Sequence, residues 1–314
     1  MDPLSGLLDR TRARGAFVLC SVLAAPWSIK VEDRAPLTLV AVIHGAAAIT
    51  TAAGSQAELR ERDIALLRGP EPYRVADPPS VSPQVSIGPD QVCTLIDPTA
   101  RPMGPLGVRS WGNDPAGDTT LLTGTYHTPA EISRPLLATL PDLLVMRAGR
   151  WASPFVEHLV HEADRDTAGQ DVILDRLLDL VLIAAVQTWL AQDGSPAPGW
   201  YAAHDDPVVG PALALIHTHP GRPWTVASLA TAVGSSRAGL ARRFTQLVGQ
   251  TPVAYLTSWR LSHAADLLTT TDATLDGIAR QVGYSSAFAF SAAFKRARGV
   301  SPRSYRQASS WRDR

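Results

Sequence analysis

The chain has 314 residues, 45% hydrophobic and 18% charged, which is long enough for two or three domains and ordinary for a globular protein. Its formal net charge of zero hides two unlike halves: residues 207–314 carry 13 Lys and Arg against 4 Asp and Glu, and residues 1–206 carry 16 against 25, so +9 is joined to −9. That asymmetry points to a polyanion-binding part joined to a part with another task, while two cysteines exclude a disulfide-rich scaffold.

Residues 1 to about 150 hold short β-branched runs separated by turn residues such as Gly54-Ser55, Gly69-Pro70 and Pro78-Pro79. Strands are expected over 16–23, 37–43, 46–51, 64–67 and 119–126, forming a β-sandwich or small barrel. The Pro- and Gly-rich stretch 77–118 reads as a long loop excursion. Residues 151–192 change period. Val156, Leu159 and Val160 mark a short amphipathic helix, and Leu174, Leu177, Leu178, Val181, Leu182, Ala185 and Trp189 mark a long one over 172–190, buried or facing a second copy. No run reaches the roughly 18 apolar residues of a membrane span, and no signal core follows the start, so a cytoplasmic protein is expected. Residues 193–206 (DGSPAPGWYAAHDD) read as a linker.

Two versions of one pattern follow. In 225–249, Thr225 is an N-cap, Ala230 is small enough for a close helix crossing, and Gly234 supplies the turn. Ser235 or Ser236 caps a second helix with Leu240, Phe244 and Leu247 inside and Arg237, Ala238, Arg242 and Gln246 largely outside. In 274–299, Thr274, Ala279, Gly283 and Ser285 or Ser286 repeat those roles. The outer face there offers Ala287, Ala289, Ser291, Ala292, Lys295 and Arg296. Pro252 to about Thr270 is a helix between them, with Thr251 as N-cap and apolar residues on more than one side. Each pattern is a helix-turn-helix. Arg242 and its counterpart Ala292 are 50 residues apart, a duplication that suits two adjacent major-groove segments about 34 Å apart.

Residues 207–306 resemble the DNA-binding domain of the AraC/XylS family of bacterial transcription regulators. The resemblance is carried by Leu229-Ala230, Ser236-Arg237, Leu240, Arg243-Phe244, Gly249, Pro252, Tyr255, Arg260-Leu261 and Ala264. It continues through Ile278-Ala279, Val282-Gly283-Tyr284, Phe294-Lys295, Gly299, Pro302, Tyr305 and Arg306. It implies an α+β protein: an N-terminal cupin-like β-barrel (1–150) with a helical dimerisation segment (151–192), then an all-α domain (207–308) with two helix-turn-helix units. Residues 1–190 resemble the cupin-type sensor of one branch of that family through DPLSGLL (2–8), HGAAAI (44–49), LRGPEPYRV (67–75), LLTGTYH (121–127) and LPDLLVM (140–146).

The expected partner is double-stranded DNA. Ser236, Arg237, Ala238, Arg242, Gln246, Ser286, Ala287 and Lys295 are the expected contacts to bases or nearby phosphates. Arg243, Arg296, Arg303 and Arg306 either meet phosphate or stay solvated. A homodimer is expected, with RNA polymerase a further partner if the protein activates, and no cofactor. No metal is expected, since His44 and His127 are far apart and the close pair His217 and His219 lies in the helical part. Cys20 and Cys93 have two readings: small buried hydrophobes, or a redox pair closed by a mobile loop. Trp27, Tyr73 and Trp111 likewise line an effector pocket or fill the core. The rival class, a cupin-type enzyme with an accessory helical domain, lacks a metal-ligand set.

Overall fold

The computed structural model describes residues 17–89, 91–107, 110–126, 137, 140–149, 151, 153–163, 165, 167–192 and 199–310. The opening 2–8 and His127 lie outside them. The chain divides into a sheet unit and a helical unit.

The sheet unit contains β1 (Phe17–Leu23), β2 (Trp27–Val31), β3 (Leu37–His44), β4 (Ala46–Thr51), β5 (Gln56–Arg60), β6 (Ile64–Arg68) and β7 (Tyr73–Asp77). It continues with β8 (Val85–Ile87), β9 (Cys93–Leu95), β10 (Gly104–Pro105), β11 (Ser110–Gly112), β12 (Thr119–Tyr126) and β13 (Leu143–Met146). Among the described residues these form two sheets, ordered β10-β11-β1-β12-β3-β6-β13 and β5-β4-β7-β2-β8-β9. The chain changes sheet between β3 and β4 at Gly45 (φ 77°), where a Cβ would lie 2.5 Å from the Asp118 carbonyl oxygen.

The expected closed barrel is therefore corrected to two open sheets packed face to face. Among the described residues no ladder joins β13 to β5 or β9 to β10. At the first of these seams side chains stand in for a ladder: the Arg147 guanidinium donates to the Glu58 carbonyl of β5 and pairs with Asp63 at 2.8 Å. The stretch 77–118 is also corrected. It is not a free excursion but carries four short strands, of which β8 runs parallel to β2 and β11 parallel to β1.

Strand β3 lies centrally in the first sheet and is buried on both faces. Val40 and Val42 join the core between the sheets. Leu39 pairs with Gly124 of β12, and a Cβ on Gly124 would meet Leu178 at 2.9 Å. Register partners share a face, so the odd-numbered side chains of β3 face helix. That helix is α2 (Gln170–Leu190), preceded by α1 (Pro154–Ala163). α2 buries Leu174, Leu178, Val181, Leu182, Ala185 and Val186, and leaves Val172, Ile173 and Leu180 exposed.

The helical unit consists of α3 (Gly199–Ala202), α4 (Val209–Thr218), α5 (Val226–Ala232), α6 (Arg237–Val248), α7 (Pro252–Thr270), α8 (Leu275–Gln281), α9 (Ala287–Arg298) and α10 (Pro302–Ser310). Residues 199–206, read from sequence as linker, are thus part of the packed unit: Gly199 sits so close to α6 that a Cβ would lie 2.4 Å from the Leu247 carbonyl oxygen. Helix α7 is apolar on two sides. Its N-terminal half meets α6 through Tyr255 and Phe244, and its C-terminal half meets α8 and α9 through Leu261, Ala264 and Leu268.

Asp63 is 4% exposed and accepts from the Arg60 amide at 3.0 Å, the Ala148 amide at 2.9 Å and Arg147. Asp63→Ala leaves two amides and a guanidinium without their acceptor, and is expected to lower stability by about 2–4 kcal/mol, read as the urea midpoint of the full chain.

Candidate nucleic-acid interface

Both helix pairs are built by local capping chemistry. Thr225 Oγ1 accepts from the Ser228 amide at 3.0 Å while Ser228 Oγ accepts from the Thr225 amide at 2.9 Å, a reciprocal cap on α5. Gly234 turns the chain at φ 68°, and Ser236 Oγ caps α6 by accepting from the Gly239 amide at 3.0 Å. The second pair repeats this. Thr274 caps α8 from the Gly277 amide at 3.1 Å, Gly283 turns at φ 85°, and Ser286 caps α9 from the Ala289 amide at 3.1 Å. Of the paired serine alternatives, Ser236 and Ser286 are the caps.

The inner faces are buried except at Leu247, expected inside but 36% exposed on the cleft beside α6. Leu240 and Phe244 of α6, and Phe290 and Phe294 of α9, are fully buried. On the outer face of α6, Ser236, Arg237, Ala238, Arg242, Arg243 and Gln246 are exposed. Arg242, Arg243 and Gln246 line one side of a cleft of about 350 Å³, with Asp206 and Val208 on the other. On α9, Lys295 and Arg296 are exposed, and Ser286 and Ala287 are half-buried at its start. Arg303 is exposed on the first turn of α10.

The arginines divide into two sorts. Arg306 is half-buried and donates to the Leu268 carbonyl at 3.2 Å and the Ala273 carbonyl at 2.7 Å, so it clamps the end of α7 rather than standing on the surface. Arg260 does the same elsewhere, donating to the Pro220 and Arg222 carbonyls at 2.7 Å each. It packs against the Gly283 turn, where a Cβ would lie 2.7 Å from its guanidinium. Arg243 is intermediate: half its side chain is exposed, but Nε pairs with Asp206 at 2.6 Å. Asp206 also accepts from the Val208 and Val209 amides at 3.0 and 2.9 Å. Burial alone would raise its pKa, but those amides and the Arg243 guanidinium outweigh it and hold the carboxyl below its ordinary 3.8. Sequence reading assigned no role to Asp206 or Arg260. Their partners lie about 40 residues away, and only the Asp in front of an apolar run was a signal, as a helix cap.

In the sheet unit Trp27 and Tyr73 belong to the core between the sheets, with Trp27 fully buried, and the partly buried Trp111 and Cys93 pack against that core. A pocket of about 190 Å³ is lined by Asp33, Thr38, Arg68, Glu71, Asp142 and also Tyr73, so of the three expected effector-pocket residues Tyr73 borders both the core and a pocket. Burial, then the charge of Asp33, pushes the Tyr73 phenol well up. Cys20 on β1 and Cys93 on β9 carry no disulfide. Cys93 is held in register with Ile87 rather than on a loose loop, and burial pushes its thiol pKa up, which disfavours the reactive thiolate. Among the described residues no group of three or more His, Cys, Asp or Glu is placed to hold a metal ion, and no helix is long and apolar enough to cross a membrane.

A cupin family model matches residues 2–191, and a helix-turn-helix domain model matches residues 229–308. A putative AraC-like transcription regulator of Streptomyces antibioticus is 30% identical over 312 residues, 98% of this chain and 99% of that protein. The HTH-type transcriptional regulator AlkR of Acinetobacter baylyi is 30% identical over 315 residues, 98% of this chain and 100% of that protein. Among solved structures, the DNA-binding domain of AdpA in complex with a target DNA is 32% identical, covering 34% of this chain and 96% of that one, with a TM-score of 0.33.

Arg306→Ala is expected to destabilise the helical unit by about 1–3 kcal/mol, since two carbonyls lose a charged donor, while Arg303→Ala leaves the melting curve unchanged. Because the Asp206 pKa is depressed in the folded chain, its contribution is complete above 3.8 and is lost as pH falls through the lower folded value. Asp206→Asn should therefore flatten the acid limb of the stability profile, measured by unfolding at a series of pH values.

Proposed function

This chain belongs to the AraC family of DNA-binding transcription regulators, and we propose that it reads double-stranded DNA through two helix-turn-helix units, α5–α6 and α8–α9, within 207–308. The carrying observation is the repeated capped pair, with buried apolar inner faces and exposed outer ones that differ in chemistry. Helix α6 reads base edges with Arg242, supported by Arg237 and Gln246, while Ser236 and Ala238 sit close to the groove. Arginine is the side chain best suited to grip guanine O6 and N7. Helix α9 enters an adjacent groove segment, with Ser286 and Ala287 at its leading end and Lys295, Arg296 and Arg303 on phosphate. The pairing with Asp206 orients Arg243, and Arg306 holds the scaffold.

The sheet unit, within 1–150, is the sensor, and 151–192 is the segment through which two copies meet. The exposed Val172, Ile173 and Leu180 on α2 support that role. A small molecule is the favoured signal over an oxidant, because the Cys93 thiol is pinned and its pKa raised. Signal binding would act by favouring one dimer geometry over another. RNA polymerase is a partner if the protein activates. A DNA-reading role puts the chain with the chromosome, in the cytoplasm.

Fluorescence anisotropy of the full chain on DNA from upstream of its own gene, across a salt series, tests the reading. Expected is site-specific binding whose log affinity falls linearly with log salt. Arg242→Ala should cost roughly 1–3 kcal/mol of specific binding and relax preference at one base pair. Binding that stays non-specific at every salt overturns the reading, and wild-type affinity in Arg242→Ala overturns the choice of residue.

A further inference from the structure

Helix α9 presents one large apolar side chain to solvent. Phe288 is 86% exposed, at the second position after the Ser286 cap. It is not surplus core, because the core beneath α9 is already closed. Phe290 meets Tyr284 at 5.7 Å and Phe294 at 5.6 Å, and Phe294 meets Tyr305 at 5.4 Å between ring centroids. By the 50-residue repeat, Phe288 stands where α6 carries the exposed Ala238. The α9 stripe through it runs Phe288, Ala292, Lys295 and Arg296, an apolar leading end followed by two exposed cations.

That arrangement selects its occupant. The flanking cations and the +9 charge of residues 207–314 favour a polyanion over an apolar protein face. A phenyl ring has no donor or acceptor, so it cannot read the hydrogen-bonding pattern of a base edge. The apolar group on base edges in the major groove is the thymine C5 methyl. We propose that Phe288 packs against thymine methyl groups in the major groove, so that α9 selects thymine-bearing steps by apolar contact while α6 selects by hydrogen bonds. This rests on α9 being the groove-reading helix of the second unit.

The test uses the full chain and a duplex that it selects from a randomised pool. Each thymine of that duplex is replaced in turn by deoxyuridine, which deletes the methyl and leaves the hydrogen-bonding edge intact. One or two thymines in the segment bound by α9 should each cost the wild type about fourfold in affinity. Phe288→Ala should bind the parent duplex roughly tenfold more weakly and be indifferent to uridine at those positions. Phe288→Leu should regain part of the discrimination. At 86% exposure the substitution removes little packing, and circular dichroism checks that the helices persist.

Wild-type affinity in Phe288→Ala, or equal sensitivity of both proteins to every uridine, overturns the proposal and leaves the DNA-reading function standing. A wild type that selects no sequence from the pool overturns that function, and this proposal with it.

Discussion

Helix α7 is buried along two sides, and the helical unit depends on that. Tyr255 lies against Phe244 of α6, and the His217 ring of α4 stacks 3.9 Å from Trp259 with its Nε2 2.7 Å from the Tyr255 hydroxyl. Leu261, Ala264, Ala265 and Leu268 lie in the core of the second pair. A 19-residue helix is about 28 Å long at 1.5 Å per residue. A rod of that length, gripped at both ends by interdigitated side chains, fixes the spacing of α6 and α9. On the proposed reading, in which both helices enter neighbouring groove segments, that rigidity spares each a separate loss of orientational freedom on binding.

The same unit illustrates how one residue type serves two ends. Arginine supplies the positive charge that DNA needs, but the planar guanidinium is also suited to tying backbone carbonyls together. Arg260, midway along α7, does the second job on the segment after α4, and Arg306 does it at the C-terminal end of α7. Arg243 belongs partly to each, held by a carboxylate that also accepts from the Val208 and Val209 amides at the start of α4. Arg237, Arg242, Arg296 and Arg303 stay exposed. The surface charge facing a polyanion is therefore smaller than the count of arginines suggests, and it is better placed.

In the sheet unit the controlling fact is that the two sheets stay open. Their inner faces meet in one apolar core, and α2 covers the outer face of the first sheet at Gly124, where the absent side chain lets Leu178 approach. Short strands from 77–118 then extend both sheets, two of them by parallel pairing. Parallel pairs need long connections. That explains why the stretch has the Pro and Gly content of a loop and yet ends up as sheet edge.

What the sequence by itself determined was whatever acts within a few residues. The caps at Thr225, Thr251 and Thr274, the glycine turns at 234 and 283, and the span of α7 all follow from hydrogen bonds and steric limits between near neighbours. Strands β4 and β12 were legible at their full lengths because turn residues bound their β-branched runs. The tertiary structure alone decided the rest. Whether Arg306 is a surface cation or a clamp depends on carbonyls 33 and 38 residues away. Whether Trp27, Tyr73 and Trp111 line a pocket or fill a core depends on which sheets come together. The repeat itself was readable in the chain, including the contrast between an arginine-bearing α6 and an apolar α9. Only the packing beneath Phe288 distinguished an exposed phenyl from one more core residue, because exposure is a property of the whole fold and not of a local pattern.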